Sequence, residues 1–188
     1  MTFLRQALAG LRLLLVMTVL LGMVYPSAIS LAARALPGPA QGSLVTMRDG
    51  RVVGSALLGQ SFEGPQWFQP RPSASDYSGD TSGGTNQSPL SATQRNARRA
   101  READLRAANP NATDPVPEDA LTASASGLDP HISAAYAQWQ LPRVAKARDM
   151  SPADLAAMIE TATDRAPLGY LGQDGVNVTK LNLALAER

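Results

Sequence analysis

The sequence predicts an α+β protein in which a single N-terminal transmembrane helix is followed by one exported α+β domain. Three observations support this prediction. Residues 13–33 are uncharged, the Asp49-Gly50 pair separates two runs of apolar and β-branched residues, and residues 91–108 are good helix formers. Strand and helix signals therefore both follow one apolar segment in the sequence, and we assign the α+β class.

The uncharged segment 13–33 has the length of a membrane span. Its 21 residues give roughly 31 Å of helix, about the thickness of the hydrocarbon core of a bilayer. Pro26 removes one backbone hydrogen bond and is expected to kink the helix. Small residues permit close packing against partner helices, and this segment carries Gly22, Ser27 and Ala28.

The charges beside the span predict its orientation. Arg5, Arg12 and the α-amino group precede it, and only Arg34 follows closely. The positive-inside rule therefore places the N-terminus in the cytoplasm and the large domain outside. The resulting division is a cytoplasmic N-terminus at 1–12, the transmembrane helix at 13–33, a Pro/Gly linker at 34–41 and the exported domain at 42–188.

A cleavable signal peptide is the alternative interpretation of the N-terminus. Arg5 and Arg12 would form its basic region, residues 13–24 its apolar core and residues 33–35 its cleavage site. The chain would then be a secreted solute-binding or hydrolytic protein. Apolar character resumes at 29–33, beyond the usual end of a signal core, which favours retention in the membrane. Both interpretations export the domain.

Composition excludes several classes of function. After position 34 the chain has 12 arginines and 2 lysines against 16 carboxylates, so the domain carries a net charge near −2. This charge argues against nucleic acid and against an anionic membrane surface as partners. Cysteine is absent, which excludes disulfides, thiolate metal sites and a cysteine nucleophile.

The first half of the domain is predicted to be a hairpin followed by a long loop. Strands are expected at 43–48 and 51–58, because Asp49-Gly50 favours a tight turn with positive φ. Residues 59–89 are rich in Gly, Pro, Ser, Asn and Gln without periodicity. Their interspersed aromatic residues favour a packed loop over a disordered one.

Three helices are predicted next. Residues 91–108 form an arginine-rich helix, which we interpret as a solvated surface helix in preference to an anion-binding face. Asp129-Pro130 predicts a helix start, with the helix running to about residue 140 and interrupted or restarted at Pro142. Ser151-Pro152 repeats that signal, and a core-facing stripe follows at Leu155, Met158, Ile159 and Ala162.

The C-terminal segment 176–185 is predicted to be a strand. Val176 and Val178 alternate, as do Leu181, Leu183 and Leu185. The parity changes between the two groups, which indicates a bulge or a break.

Catalytic motifs are missing from the sequence. There is no phosphate-binding loop, and His131 is the sole histidine. Ser124 and Ser126 lack a nucleophile-elbow motif, and Asp129 is better placed to cap a helix. A metal site would need His131 together with carboxylates that are scattered along the chain, so we predict no metal site.

Two segments have the composition of an interaction surface, namely 59–74 and 122–133. Tryptophan, phenylalanine and arginine are enriched at protein interfaces. The alternative is that both are ordinary loops packed on their own domain. The candidate interaction residues are Trp67, Phe68, Arg71, Gly127, Asp129 and His131.

Ordered sequence blocks cover nearly the whole chain. They are an N-terminal span with Tyr25-Pro26, GSLV, DGRVVGSALLGQSF, WFQPRPSA, SGGTN, R-x-x-NP, LTASASGLDPHIS, PLG and VNVTKLNLAL. In this order and spacing they closely resemble the C subunit of the bacterial Kdp-type potassium-transporting ATPase. Ala125 and Thr85 stand where glycine and serine are expected, and neither departure changes the assignment.

The resemblance implies an accessory subunit that is not an enzyme on its own. The implied partners are a potassium-channel-like subunit, a P-type ATPase subunit and a small membrane peptide in the bacterial inner membrane, with the domain of this chain in the periplasm. ATP would be used by the complex, potassium would be transported, and the absence of a D-K-T-G motif agrees with ATP hydrolysis in a partner.

The resemblance also implies a nucleotide contact for Gln60, in a subunit that raises the affinity of the ATPase subunit for ATP. The flanking charges place Gln60 outside the membrane, whereas ATP hydrolysis is cytoplasmic. We therefore expect the exported domain to stabilise the complex or its potassium entrance.

Overall fold

The computed structural model describes residues 2–188, and the chain divides into two compact units between Ser43 and Leu44. The first unit holds the apolar N-terminal helix. The second unit holds the two small sheets found in the described residues, together with the helices that pack on one of them. The α+β class with one N-terminal apolar helix is thus confirmed.

The first unit is built on one continuous helix, Thr2–Ala33, of 32 residues. Helix α1 (Thr2–Val19) passes through a π-helical turn (Leu20–Val24) into helix α2 (Tyr25–Ala33). The π-helical turn ends one residue short of the Tyr25-Pro26 pair's proline, whose ring nitrogen has no hydrogen to donate. Among the described helices this is the one long and apolar enough to cross a membrane, although a signal sequence meets the same criterion.

The remaining elements are short and are separated by long loops. A one-turn helix, α3 (Pro37–Ala40), closes the first unit. In chain order the second unit contains β1 (Leu44–Thr46), β2 (Val52–Ser55), α4 (Ala92–Ala108), α5 (Glu118–Leu121), β3 (His131–Ile132), α6 (Ala134–Arg148), α7 (Pro152–Thr161), β4 (Thr163–Asp164), a 3₁₀ turn (Pro167–Gly169), β5 (Gly175–Asn177) and α8 (Val178–Ala186). Strands β1 and β2 pair antiparallel, and a second antiparallel sheet has the order β3-β5-β4.

The predicted hairpin is present, with shorter strands than expected. Gly50 has a φ of +83°, and the Asp49 carboxylate accepts a hydrogen bond from the Arg51 amide at 2.9 Å. The pairing register shifts between Val45 and Thr46. This irregularity ends the regular ladder early, because an extra residue leaves backbone groups without opposite partners.

Two of the predicted helices are confirmed. Both start at a serine that caps the helix, and such a signal depends only on neighbouring residues. The Ser91 hydroxyl accepts the amide hydrogen of Gln94 at the start of α4, and no residue of α4 is buried. The Ser151 hydroxyl does the same for Asp154 at the start of α7. Helix α7 buries the predicted stripe of Leu155, Met158, Ile159 and the following Ala162.

The predicted C-terminal strand is wrong beyond residue 177. Strand β5 ends at Asn177, whose side-chain oxygen accepts the amide hydrogen of Lys180 at 3.1 Å and starts helix α8. Val178, Leu181 and Leu185 then lie on one buried helix face. Spacings of three and four residues fit a helix better than a strand, and the change of parity marks the strand-to-helix boundary.

The predicted helix start at Asp129-Pro130 is also wrong. The Asp129 carboxylate accepts the amide hydrogen of His131 at 2.9 Å, which shapes a turn into strand β3. Helix α6 starts after Ser133, whose hydroxyl accepts the amide hydrogen of Tyr136. It continues through Pro142 to Arg148, because the buried residues on both sides of the proline offset one missing hydrogen bond.

The core of the second unit lies between helices α6, α7 and α8 and strand β5. Side chains from the two C-terminal helices and from α6 are fully excluded from solvent. The loop after β2 also contributes to the core through Phe68, and the principal core residues are Phe68, Ile132, Tyr136, Val144, Leu155, Val176, Val178, Leu181 and Leu185.

Candidate functional site

The two segments predicted as an interaction surface lie against each other. The Gly59 amide donates to the carbonyl of Leu128 at 2.7 Å. Further along, the Gly83 amide donates to Ser126 at 2.8 Å, and the Ser124 amide donates to Pro72 at 3.0 Å. We call loops 59–89 and 122–133 together the loop junction. Its backbone hydrogen bonds join segments that are about forty to seventy residues apart in the sequence.

Gly127 lies at the centre of the loop junction, where a side chain has no room. Its φ is +71°, and a Cβ there would lie 2.9 Å from the carbonyl oxygen of Gly83. The Gly127 carbonyl accepts a hydrogen bond from the Ser73 hydroxyl at 2.7 Å. A Cβ on Gly59 would similarly lie 2.7 Å from the Asp129 carbonyl oxygen. Glycine is required at both positions because the two backbones approach too closely for a Cβ.

Two buried side-chain amides hold the backbone of the first loop. Asn182 accepts the amide hydrogen of Phe68 at 2.9 Å and donates to the carbonyl of Phe68 at 2.8 Å. Gln140 does the same for Gln69, at 2.7 and 3.1 Å. Both side chains are excluded from solvent, with exposed fractions of 1% and 0%. These amides pair with consecutive loop residues in place of a neighbouring strand, so the loop is ordered without secondary structure.

A chain of ionic groups extends from the loop junction to helix α8. Arg71 Nη1 lies 3.3 Å from Asp129, and Asp129 lies 3.6 Å from His131 Nδ1. His131 Nε2 lies 3.0 Å from Asp164, which also accepts a hydrogen bond from Lys180 Nζ at 2.8 Å. We call these five residues the ionic chain. Arg71, Asp129, His131 and Asp164 of the ionic chain border a cavity of about 440 Å³.

The two carboxylates beside His131 change its titration. Asp129 raises the pKa of His131 above its ordinary value of 6.5, burial opposes this shift, and the hydrogen bond with Asp164 adds to it. Burial works to raise the pKa of both carboxyl groups. Hydrogen bonds from His131, and from Lys180 in the case of Asp164, outweigh burial and hold both pKa values below 3.8.

We expect His131 to stabilise the domain at low pH and to lose that contribution as the pH rises. A group whose pKa is raised on folding makes its full contribution to stability at a pH below its pKa in the unfolded chain, which is about 6.5 for histidine. That contribution is lost as the pH rises through the pKa of the group in the folded protein. The two carboxylates stay ionised across this range. The wild type should be more stable than His131→Gln, and this difference in free energy of unfolding should be larger at about pH 5.5 than at about pH 8.5. Urea unfolding of the full chain in detergent micelles measures both values.

Lys180→Gln is the matched control for this pH dependence. It removes the cation beside Asp164 but leaves His131 free to titrate between the same two carboxylates. Its pH dependence should follow that of the wild type between about pH 5.5 and 8.5. A difference between wild type and His131→Gln that stays constant with pH would contradict the role of the ionic chain.

The sequence of the chain matches the family model described as KdpC, K⁺-transporting ATPase c chain, over residues 7–187. The chain belongs to the KdpC family. Its relatives include the potassium-transporting ATPase KdpC subunits of Kineococcus radiotolerans and Sorangium cellulosum, each 49% identical. These matches cover 97% and 94% of this chain, and 93% and 94% of the relatives. The KdpC subunit of Caulobacter vibrioides is 45% identical over 100% of this chain and 94% of its own length.

Membership of the KdpC family makes this chain a subunit of a potassium-transporting ATPase complex. The resemblance seen in the sequence blocks is thereby confirmed, as is the assignment to potassium and ion transport. A membrane-anchored subunit also fits the apolar N-terminal helix. The alternative of a secreted solute-binding or hydrolytic protein is not favoured by the family.

The aromatic residues proposed for the KdpC surface lie inside the domain. Phe68 has an exposed fraction of 0% and belongs to the core. Trp67 is partly buried, with the Arg148 guanidinium 4.3 Å from the centroid of its ring and Phe62 on another side. Arg71, Asp129 and His131 are half-buried in the ionic chain. Trp67 and Phe68 therefore pack on their own domain, as the alternative interpretation of these loops predicts.

Gln60 follows strand β2 of the hairpin and folds back onto it. Its side-chain amide donates to the carbonyl of Val53 at 3.1 Å and occupies the space where a Cβ on Gly54 would be. The amide is therefore engaged with strand β2, where it holds the hairpin to the start of the loop junction.

Sequence reasoning missed the residues that complete this site, namely Asp164, Lys180, Gln140 and Asn182. A weak signal exists for one of them. Asn182 stands between Leu181 and Leu183 in the C-terminal segment, and a polar residue in such apolar surroundings is buried only when it has hydrogen-bond partners. Gln140 and Asp164 carry no comparable signal, because their partners are distant in sequence.

Proposed function

We propose that this chain is a non-catalytic accessory subunit of an ATP-driven potassium import complex. It stabilises the assembled complex and supports the subunit that hydrolyses ATP. The observation that carries the proposal is the loop junction, which is held as a fixed surface by buried amides and close glycine contacts. A fixed surface suits docking, because little conformational entropy is lost when it binds.

The residues that the sequence left as catalytic candidates have structural roles in the loop junction. The Ser124 hydroxyl accepts the amide hydrogen of Gly127 at 2.8 Å. The two nitrogens of the His131 ring face Asp129 and Asp164, and within residues 2–188 neither nitrogen is hydrogen-bonded to a serine hydroxyl. A serine nucleophile needs a histidine within hydrogen-bond reach, so the arrangement favours an accessory role over hydrolysis.

The proposed partners follow from the family. They are a potassium-channel-like subunit, a P-type ATPase subunit and a small membrane peptide. ATP is used by the ATPase subunit, and potassium is the transported ion. In this proposal Gln60 orders the hairpin and does not contact nucleotide, since its amide is already engaged by Val53.

The proposed topology places the N-terminus in the cytoplasm and the second unit in the periplasm. Arg5 and Arg12 precede the most apolar part of the helix, and only Arg34 follows it closely. The positive-inside rule supports this orientation. The exported domain then meets the other subunits on the side from which potassium enters.

Two single-cysteine variants test the topology, because the natural chain has no cysteine. Leu90 is 84% exposed in the second unit, so Leu90→Cys should react with a membrane-impermeant maleimide in intact spheroplasts. Thr2→Cys should react only after the membrane is opened. Labelling of Thr2→Cys alone in intact spheroplasts would contradict the topology, and loss of residue 2 from the mature chain would indicate signal cleavage.

The accessory role is tested on the assembled complex. A tagged copy of the chain should co-purify the other subunits from membranes, and omission of the chain should lower potassium-stimulated ATP hydrolysis by the remaining subunits. Full potassium-stimulated hydrolysis without this chain would contradict a supporting role.

A further inference from the structure

The loop between β4 and β5 exposes three large apolar side chains. Leu168, Tyr170 and Leu171 have exposed fractions of 78%, 73% and 52%. They lie within four consecutive positions, and we call residues 168–171 the apolar tip. Apolar residues that are exposed together, unlike scattered ones, mark interaction sites on protein surfaces.

The base of this loop is fixed by side-chain contacts. The Asp174 carboxylate accepts the amide hydrogen of Ala166 at 2.8 Å and pairs with Arg165 Nη1 at 2.9 Å. Arg165 also pairs with Glu160 at the end of helix α7. The tip is therefore held out from the domain by a defined base.

Leu168 adds a second observation that is independent of its exposure. Its φ of +56° lies in the left-handed region, which disfavours a branched apolar side chain. A leucine in this conformation that is also exposed gains no burial energy from the folding of the domain. Contact with a partner is the physical role left for such a side chain.

The charges beside the apolar tip indicate the kind of partner. Pro167 and Gln173 of the loop border the same cavity as the ionic chain. Five carboxylates lie around this region, against four basic groups when His131 is counted. The carboxylates are Asp119, Asp129, Glu160, Asp164 and Asp174, and the basic groups are Arg71, His131, Arg165 and Lys180. An acidic surface is repelled by anionic lipid and attracted by a basic protein surface.

We propose that the apolar tip anchors this chain in an apolar cleft on another subunit of the transporter, and that lysine or arginine side chains border this cleft. Leu168 and Tyr170 fill the cleft, and the carboxylates behind them face its basic rim. Apolar and aromatic anchors surrounded by charged groups are the usual anatomy of a protein interface. The proposal rests on the accessory role, because it requires other subunits on the side of the exported domain.

The first test uses the assembled complex. A triple variant, Leu168→Ser, Tyr170→Ser and Leu171→Ser, should reduce co-purification of the other subunits by roughly tenfold or more, as expected for loss of interface anchors. Leu90→Ser is the matched control, because Leu90 is an equally exposed leucine in another loop. Both variants should unfold at the wild-type temperature, since the replaced side chains are exposed. Unchanged co-purification of the triple variant would overturn the proposal.

The second test distinguishes a protein partner from the bilayer. Tyr170→Cys in the cysteine-free chain can be labelled with an environment-sensitive fluorophore. Its emission should shift to the blue in the assembled complex, and should not shift when the chain alone is placed in phosphatidylglycerol–phosphatidylethanolamine vesicles. A blue shift in vesicles without partners, or no shift in the complex, would overturn the proposal.

These outcomes separate failure of the tip from failure of the accessory role. If the complex assembles and the fluorophore on the tip stays in water, docking through the tip is wrong while the accessory role stands. If the chain co-purifies with no other subunit in its wild-type form, the accessory role itself is wrong.

Discussion

Phe68→Ala is expected to lower the free energy of unfolding by about 3–5 kcal/mol. The ring of Phe68 is fully excluded from solvent and packs in the core beside residues of α6 and α8. Truncation removes buried apolar surface and leaves a cavity, and both effects destabilise the folded state. Chemical unfolding of the full chain in detergent micelles, followed by tryptophan fluorescence, measures the loss.

Phe68→Leu is the matched control for this prediction. It keeps most of the apolar volume, so its cost should be about 1–2 kcal/mol. If Phe68→Ala unfolded like the wild type while co-purification of partners fell, Phe68 would lie on an interaction surface. That is the position that the composition of its segment predicts. With the observed burial, weaker co-purification of Phe68→Ala is expected to follow from lost stability.

Asn182→Ala is expected to lower the free energy of unfolding by about 2–6 kcal/mol. Asn182 satisfies both the amide hydrogen and the carbonyl of Phe68 in a buried environment. Its removal leaves two buried backbone groups without partners, at a cost of about 1–3 kcal/mol each. The first loop should also lose its order near Phe68, which hydrogen exchange of the backbone amide of Phe68 would detect.

Asn111→Ala provides the control for Asn182→Ala, because Asn111 is exposed. A surface substitution of this kind should change stability by less than about 0.5 kcal/mol. Equal effects of the two variants would show that the buried amide does not hold the loop. Slow exchange of the Phe68 amide in Asn182→Ala would lead to the same conclusion.

Local signals in the sequence predicted several elements well. Ser91 and Ser151 start their helices with the hydroxyl contacts that such residues typically make. Asp49-Gly50 forms the predicted turn, and the uncharged segment near the N-terminus is helical throughout. Each of these features depends only on residues that are adjacent in the sequence, so each can be predicted from a short segment.

The wrong predictions came from residues with two local uses. Asp129 is a good helix cap and also a good turn former, and contact with strand β5 selected the turn. The segment after Asn177 fits a strand by alternation and a helix by its spacing of three and four residues. Burial of Val178 and Leu181 against the core selected the helix, because only that conformation places these side chains on one face.

The candidate site was predictable in its segments but not in its contacts. Composition indicated 59–74 and 122–133, and the structure joins them. The side chains that order them come from far along the chain: Phe68 and Asn182 are 114 positions apart, and Gln69 and Gln140 are 71 positions apart. Composition also could not tell that Phe68 faces inward and that Leu168 faces solvent.

The sequence by itself determined that this chain has an apolar N-terminal helix, an α+β domain and membership of a potassium-transporting ATPase subunit family. Length, hydropathy and ordered motifs are properties of the chain that need no knowledge of its folding. Only the tertiary structure decided which apolar side chains are covered, which carboxylates flank His131 and which loop stands out from the surface. Those choices depend on contacts between distant segments, where many pairings satisfy the same local preferences and packing of the whole core selects one.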